Sequence, residues 1–409
     1  MTMGAPVSRD IFDFGNVRWL LHCAEGPTPV EVAEAARRYM DLELRPWNRR
    51  MQEDVIDILS GAKAEAAAVI SRPGARAAQA TDISLSQSTS TGLTLVARGF
   101  PFEPGDEIIA PLGEFPSNVW PWKGLADSGV TFREVPLWDG HKSGREAWIS
   151  TPPTAHDSPE ERLAMAIGPR TRMVTASWVR FQDGLRMDLG LLGRLCRDRG
   201  VPLVVDGIQG AGAMAPDLTD VSAFATGGHK GLLAMSGQGF LWTDPDFRKR
   251  LSPVGSWLSV EEGGNFNRAV TDFDRNWQEN GHKLEQGGYN VIGALVLRGS
   301  LGVINEVGSH NIETHIRGLQ AGLVELLRAR ADASWRPELE RLGALVSAGR
   351  TGPILGISHM GRGPEFLDGL VASLQRQNIF VSLREGYLRI ALHCWHDHDD
   401  IEAVAAALT

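Results

Sequence analysis

Residues 201–205, VPLVV, form an unbroken apolar run that stops at Asp206. A run with no polar alternation is buried on both faces, the pattern of an interior strand in a parallel sheet covered by helices. The chain before it agrees. Asp188 opens a predicted helix with Leu189, Leu192 and Cys196 on one face, and Gly200 stops it. Strands and helices alternate upstream as well, which predicts an α/β fold with right-handed crossovers. A carboxylate at the end of a buried strand needs a partner. Twenty-four positions after Asp206, behind a second apolar run (221–225) and a glycine pair, comes His229-Lys230. A lone lysine in a glycine-rich, uncharged neighbourhood is desolvated, which favours its neutral, nucleophilic amine.

A loop lysine and a strand-end carboxylate are what pyridoxal phosphate chemistry requires. The amine holds the aldehyde as a Schiff base, and the carboxylate keeps the pyridine nitrogen protonated so that the ring draws electrons. Gln209 is spaced to reach the ring's phenolic oxygen. Taken singly, these residues also read as a surface lysine and an N-capping aspartate. A dinucleotide loop is a poorer reading, because Gly207, Gly210 and Gly212 are not spaced G-x-G-x-x-G and the acidic residue precedes them.

The combination D-x-x-Q with a later H-K in a glycine loop resembles the class V aminotransferase family, the fold-type I group that includes cysteine desulfurases and isopenicillin N epimerase-like proteins. The resemblance implies a large domain with a mostly parallel sheet and helices on both faces, and a smaller α+β C-terminal domain. It makes Lys230 the Schiff-base lysine, Asp206 the pyridine partner, Gln209 the phenolate contact and His229 a phosphate-contacting or lysine-positioning residue. We expect an arm over 1–25, the cofactor-binding domain over 26–265 and the small domain over 266–409.

Further motifs follow. Ser88-Thr89-Ser90-Thr91-Gly92 opens a predicted helix, and amides at a helix start favour a phosphate; it also reads as a plain N-cap. By the resemblance, Ser90, Thr91 and Gly92 hold the cofactor phosphate. Phe115, after the strand EIIAPLGE, is the expected ring stacker, with plain core as the alternative. Trp178 stands where desulfurase-like members carry asparagine, and Trp178 and Trp257 are taken as substrate contacts. LEQGGYN (284–290) resembles a family loop that crosses to the partner's cofactor, with Gly288 in place of a threonine. Arg389 matches the family arginine that binds the substrate carboxylate through a planar fork. Thr28-Pro29-Val30-Glu31 predicts a capping box that opens a helix.

The composition narrows function by exclusion. A net charge of −9 disfavours nucleic acid and anionic membrane as partners, and no apolar run approaches 18 residues. The first 25 residues lack a signal-peptide pattern, so a cytoplasmic protein is expected. Three scattered cysteines make neither a disulfide framework nor a zinc pattern. Cys23, near a turn that resembles one by the family's substrate site, reads as packing, and the cluster His393, His396 and His398 fits no standard metal spacing, so no metal is expected.

One absence decides the chemistry. Desulfurases place a nucleophilic cysteine on a loop just before the carboxylate arginine, yet none lies between Phe366 and Arg389. What remains needs only the cofactor, Lys230 and a carboxylate clamp. Cleavage of a C–S bond by β-elimination in a cysteine conjugate, as in bacterial secondary metabolism, ranks first. Decarboxylation with oxidative deamination, epimerisation and aminotransfer remain open on the same scaffold, and a non-catalytic cofactor-binding protein ranks below them. A homodimer with sites at the interface is expected.

Overall fold

The structure is a computed structural model that describes residues 4–265, 267–269 and 271–409. Its strands are β1 (Arg18–Trp19), β2 (Ile83–Ser86), β3 (Glu107–Pro111), β4 (Thr131–Val135), β5 (Thr171–Ser177), β6 (Leu203–Asp206), β7 (Ala223–Gly227), β8 (Gly239–Thr243), β9 (Ile354–Ser358), β10 (Ile379–Phe380), β11 (Ser382–Arg384) and β12 (Tyr387–Ala391). Seven of them form one sheet in the order β2-β8-β7-β6-β5-β3-β4. The pairs from β4 through β7 are parallel, while β8 runs antiparallel to both β7 and β2, so the sheet is mixed at one edge.

All four residues of β6 are buried, as an apolar run without alternation requires. Leu203 and Val205 pack into one apolar cluster and Val204 into another, so both faces of the strand are covered. Asp188 caps the preceding helix, Leu189–Arg197, by accepting from the Leu191 amide at 3.0 Å. This crossover delivers the chain back to β6 and fixes where Asp206 ends the strand.

The capping box expected at Thr28 does not form. The helix Val30–Leu44 starts one residue later than a Thr28 cap requires, with Pro29 at the N-cap and no side-chain cap bond. Its inner face carries Val32 and Tyr39 as the spacing predicts.

The C-terminal region adds an antiparallel sheet β11-β12-β9. The described part of the expected arm, residues 4–25, joins the rest of the chain. β1 pairs in parallel with β10, and Leu20 exchanges backbone bonds with Phe380 and Ala391 at 3.0 Å, so this segment is built into the C-terminal sheets. The border expected at 265/266 falls at Phe266, outside the described residues. Among the described residues no single helix is long and apolar enough to cross a membrane.

Candidate active site

The C-terminal ends of β5, β6 and β7 point to one cavity of about 320 Å³, the usual crevice for ligands in an open α/β sheet. Lys230, Gln209, His229, Ser90, Phe115 and Arg389 line it, and Asp206 lies under it at 2% exposure. Ser90 and Arg389, 299 positions apart in the chain, thus meet at one site.

Lys230 follows the glycine pair after β7 and is buried, with its Nζ 5.4 Å from the centre of the Phe115 ring. Burial lowers the pKa of the amine, opposed by the nearby Asp206. The loop is tightly held: the Gly26 amide donates to the His229 carbonyl at 2.7 Å, and a Cβ on Gly26 would stand 2.0 Å from the Lys230 carbonyl oxygen. On the other side, the buried His393 donates from Nε2 to the Gly231 carbonyl at 2.9 Å. His396 does the same to Trp19 at 3.0 Å, while His398 lies on the helix His398–Leu408 beside Glu402. This histidine cluster pins backbone. Among the described residues no group of His, Cys, Asp and Glu could hold a metal ion.

The Asp206 carboxyl is raised to about 7, first by burial and then by Glu114, with the Ile208 amide and Lys230 acting the other way. Glu114 is a buried carboxyl that sequence reasoning missed. It accepts from the Ser177 amide at 2.7 Å and from the Ser177 hydroxyl, and Ser177 is the register partner of Asp206 across β5 and β6. His229, half-buried, is shifted down by burial and by Lys230.

Ser88 caps the helix Thr89–Gly99 by accepting from the Thr91 amide, and its carbonyl takes the Gly92 amide. The amides of Thr89 and Ser90 are therefore the ones at this helix start without a chain partner among the described residues. This revises the expected phosphate contacts. Gly92 is buried against Ala225, and Thr91 turns to a neighbouring cleft with Gly288, whereas Ser88, Thr89 and Ser90 of the same motif and the unanticipated Ser117 line the cavity. Trp178 is a second correction: its indole is buried against Gly210 and Phe224, so it is core and not a substrate contact. Trp257 lines two other clefts and abuts Gly287, away from Lys230 within one chain.

Arg389 on β12 is buried, donating from Nε to Ser382 at 2.8 Å and from Nη1 to the Phe181 carbonyl at 2.8 Å. Two fixed bonds orient the guanidinium, and burial lowers its pKa; an arriving carboxylate would relieve that desolvation. Phe115 presents its ring to the cavity, held edge-on by Phe181 at 5.2 Å. Cys23, read as packing near the substrate turn, packs with Ile354 and Ala391 and also lines the cavity, 3.8 Å from the Ser382 hydroxyl.

The groups present suit pyridoxal phosphate. Gln209 donates its Nε2 to the Cys23 carbonyl at 3.1 Å and leaves Oε1 buried without a partner, and the buried Thr89 hydroxyl is also unpartnered. Buried polar atoms left unpaired in a cavity call for a ligand with matching groups. Such a site, with an amine, a strand-end acid and a helix-start anion cradle, defines a cofactor-dependent enzyme acting on amino acids.

The chain belongs to the aminotransferase class-V family, which matches residues 18–348, and it is a pyridoxal 5′-phosphate enzyme. A probable cysteine desulfurase of Methanothermobacter thermautotrophicus is 28% identical over 327 residues, covering 76% of this chain and 72% of the relative. One from Pseudomonas aeruginosa is 26% identical, covering 94% of each. Isopenicillin N epimerase of Streptomyces clavuligerus is 29% identical over 46% of each chain. Among solved structures, the apo cysteine desulfurase from Thermococcus onnurineus NA1 has a TM-score of 0.75 at 20% identity, covering 99% of this chain and 98% of that one. The cystine C–S lyase C-DES, solved with cysteine persulfide, has a TM-score of 0.74 at 19% identity, covering 97% and 98%.

Proposed function

We propose that the protein cleaves the C–S bond of a cysteine conjugate by β-elimination. The observation that carries this is the β11–β12 hairpin. Arg384 pairs with Tyr387 across the two-residue turn Glu385-Gly386, so no thiol-bearing loop stands in front of Arg389. The cavity's own thiol, Cys23, is 1% exposed, too enclosed to pass sulfur to another protein. Relatives named for desulfuration and for C–S lysis support sulfur-substituted amino acids as the substrate class.

When bound, pyridoxal phosphate withdraws electrons from the α-carbon of the amino acid attached to it. The Thr89 and Ser90 amides would hold its phosphate, Phe115 would face its ring, and Asp206 would keep its ring nitrogen protonated. Arg389 takes the substrate's α-carboxylate and thereby sets which α-bond faces Lys230. The amine of Lys230 removes the α-proton; the Cβ–S bond then breaks with its electron pair on sulfur, which leaves as a thiolate. No further acid is needed, because a thiolate is stable near neutral pH. The three-carbon fragment leaves as pyruvate and ammonia after hydrolysis.

The protein acts in this reading as a cytoplasmic homodimer, and an origin in bacterial secondary metabolism suits the epimerase likeness. Gln286, Gly287 and Gly288 are exposed and lie outside their own chain's cavity, and Trp47 and Phe273 are 78% and 87% exposed, which supports a partner surface. The test is product analysis of the holoenzyme with a panel of S-substituted cysteines. Equimolar thiol, pyruvate and ammonia are expected. Aldehyde with carbon dioxide, a D-isomer, or an amino group passed to a 2-oxo acid would replace elimination by decarboxylation, epimerisation or aminotransfer.

A further inference from the structure

Arg389 is not the only guanidinium in the cavity. Arg384 also lines it, is exposed, and has no ion pair or hydrogen bond among the described residues. Its placement is fixed by the hairpin. Ser382 is the cross-strand partner of Arg389, and its hydroxyl accepts from the Arg389 Nε on one face. Residues two apart on a strand share a face, so Arg384 projects on the same side as Ser382 and Arg389. Diagonal neighbours of this kind stand roughly 7–8 Å apart at the backbone. The turn that closes the hairpin keeps that register, with Glu385 at φ +42° and Gly386 at φ +84°.

The cavity lining holds Lys230, Arg384, Arg389 and the half-buried His229, and no carboxylate among the described residues. A helix start and two guanidiniums make three anion sites. The helix start at Thr89 and Ser90 suits the cofactor phosphate, and Arg389, with its two fixed bonds, suits the α-carboxylate. Arg384 is left over, exposed on the cavity lining and available to a group the substrate carries beyond its reacting carbons.

We infer that Arg384 is a second carboxylate site, and that the substrate is an amino acid with a further acidic group at the end of its side chain, such as a cysteine conjugate bearing a distal carboxylate. This rests on the proposed amino-acid reading of the cavity and narrows its substrate class. A guanidinium binds a carboxylate through paired N–H donors, whereas a neutral amide of the same shape offers it one acceptor and no charge.

The test is isothermal titration of the holoenzyme with L-2-aminoadipate and with its side-chain amide. These probes share an α-amino acid end and differ only in the charge of the distal group, and neither contains a C–S bond. Wild type should bind the dicarboxylate about tenfold more tightly than the amide at low salt, the preference shrinking as salt rises. Arg384→Gln should bring the two affinities within about twofold of each other, and Arg384→Lys should restore part of the preference. Equal affinities in wild type, or a preference unchanged in Arg384→Gln, would overturn the second site. Because the probes cannot be cleaved at sulfur, that outcome leaves the elimination reading to be judged by its own products.

Discussion

At Arg389 the chemistry depends on geometry as much as on charge. A buried, charge-assisted pair is roughly twice as strong as a neutral one, so Arg389→Ala should lower kcat/KM on an amino acid about a hundredfold or more. Arg389→Lys should recover little, because the ammonium lacks the fork held by Ser382 and Phe181. Steady-state kinetics on the amino acid and on the amine without its carboxylate checks this; equal losses on both would show that Arg389 never touches the carboxylate. Asp206 carries a pH signature in the cofactor-free protein. Its folded pKa is raised to about 7, while an unfolded aspartate titrates near 4. The folded chain thus holds a proton that the unfolded chain has released over that window. The stability this contributes is complete below about pH 4 and is lost as pH rises through 7. Thermal unfolding at pH 5 and 8 should show wild type losing more Tm than Asp206→Asn across the interval; parallel profiles would contradict the shift.

Elements explain why some residues were legible in the sequence and others were not. The apolar run of β6 and its terminal acid marked Asp206, and the glycine pair after β7 marked Lys230, because backbone burial leaves a pattern along the chain. Ser90 and Phe115 were readable as a helix start and a strand end. Glu114 was not, since a glutamate in a turn looks solvated until β5 supplies Ser177 above it. Cys23 reaches the cavity through the pairing of β1 with the distant β10, and Arg384 through a local hairpin whose placement depends on β12 pairing with β9, which no local pattern encodes. Trp178 was misplaced because the turn after β5 sends its indole under the sheet to Gly210, while its amide stays at the Asp206 carbonyl, 2.9 Å away. Gly26 shows how closely the elements meet at Lys230. Gly26→Ala would push against the Lys230 carbonyl and should cost about 1–3 kcal/mol of stability along with much of the cofactor affinity. Denaturant unfolding and cofactor titration would check both, and an unchanged affinity would show that the loop has room to move.

For the molecule as a whole, the loop at Gly287 and Gly288 is exposed and lies outside the lining of its own chain's cavity. Glu285 anchors it, paired with Lys63 at 2.9 Å and accepting from the Leu85 amide at 2.8 Å. We expect light scattering to give a homodimer, and activity to fall on dilution in step with dissociation; a fully active monomer would contradict an interface site. The central claim is that Lys230 and the cofactor cleave the C–S bond with no protein sulfur taking part. The most direct measurement is the stoichiometry of Cys23→Ser holoenzyme acting on an S-substituted cysteine, with mass spectrometry of wild type after turnover. One thiol and one pyruvate should form for each conjugate consumed, at a rate within about tenfold of wild type, with no sulfur added to Cys23. Loss of product formation in the variant, together with a persulfide on Cys23 in wild type, would contradict it.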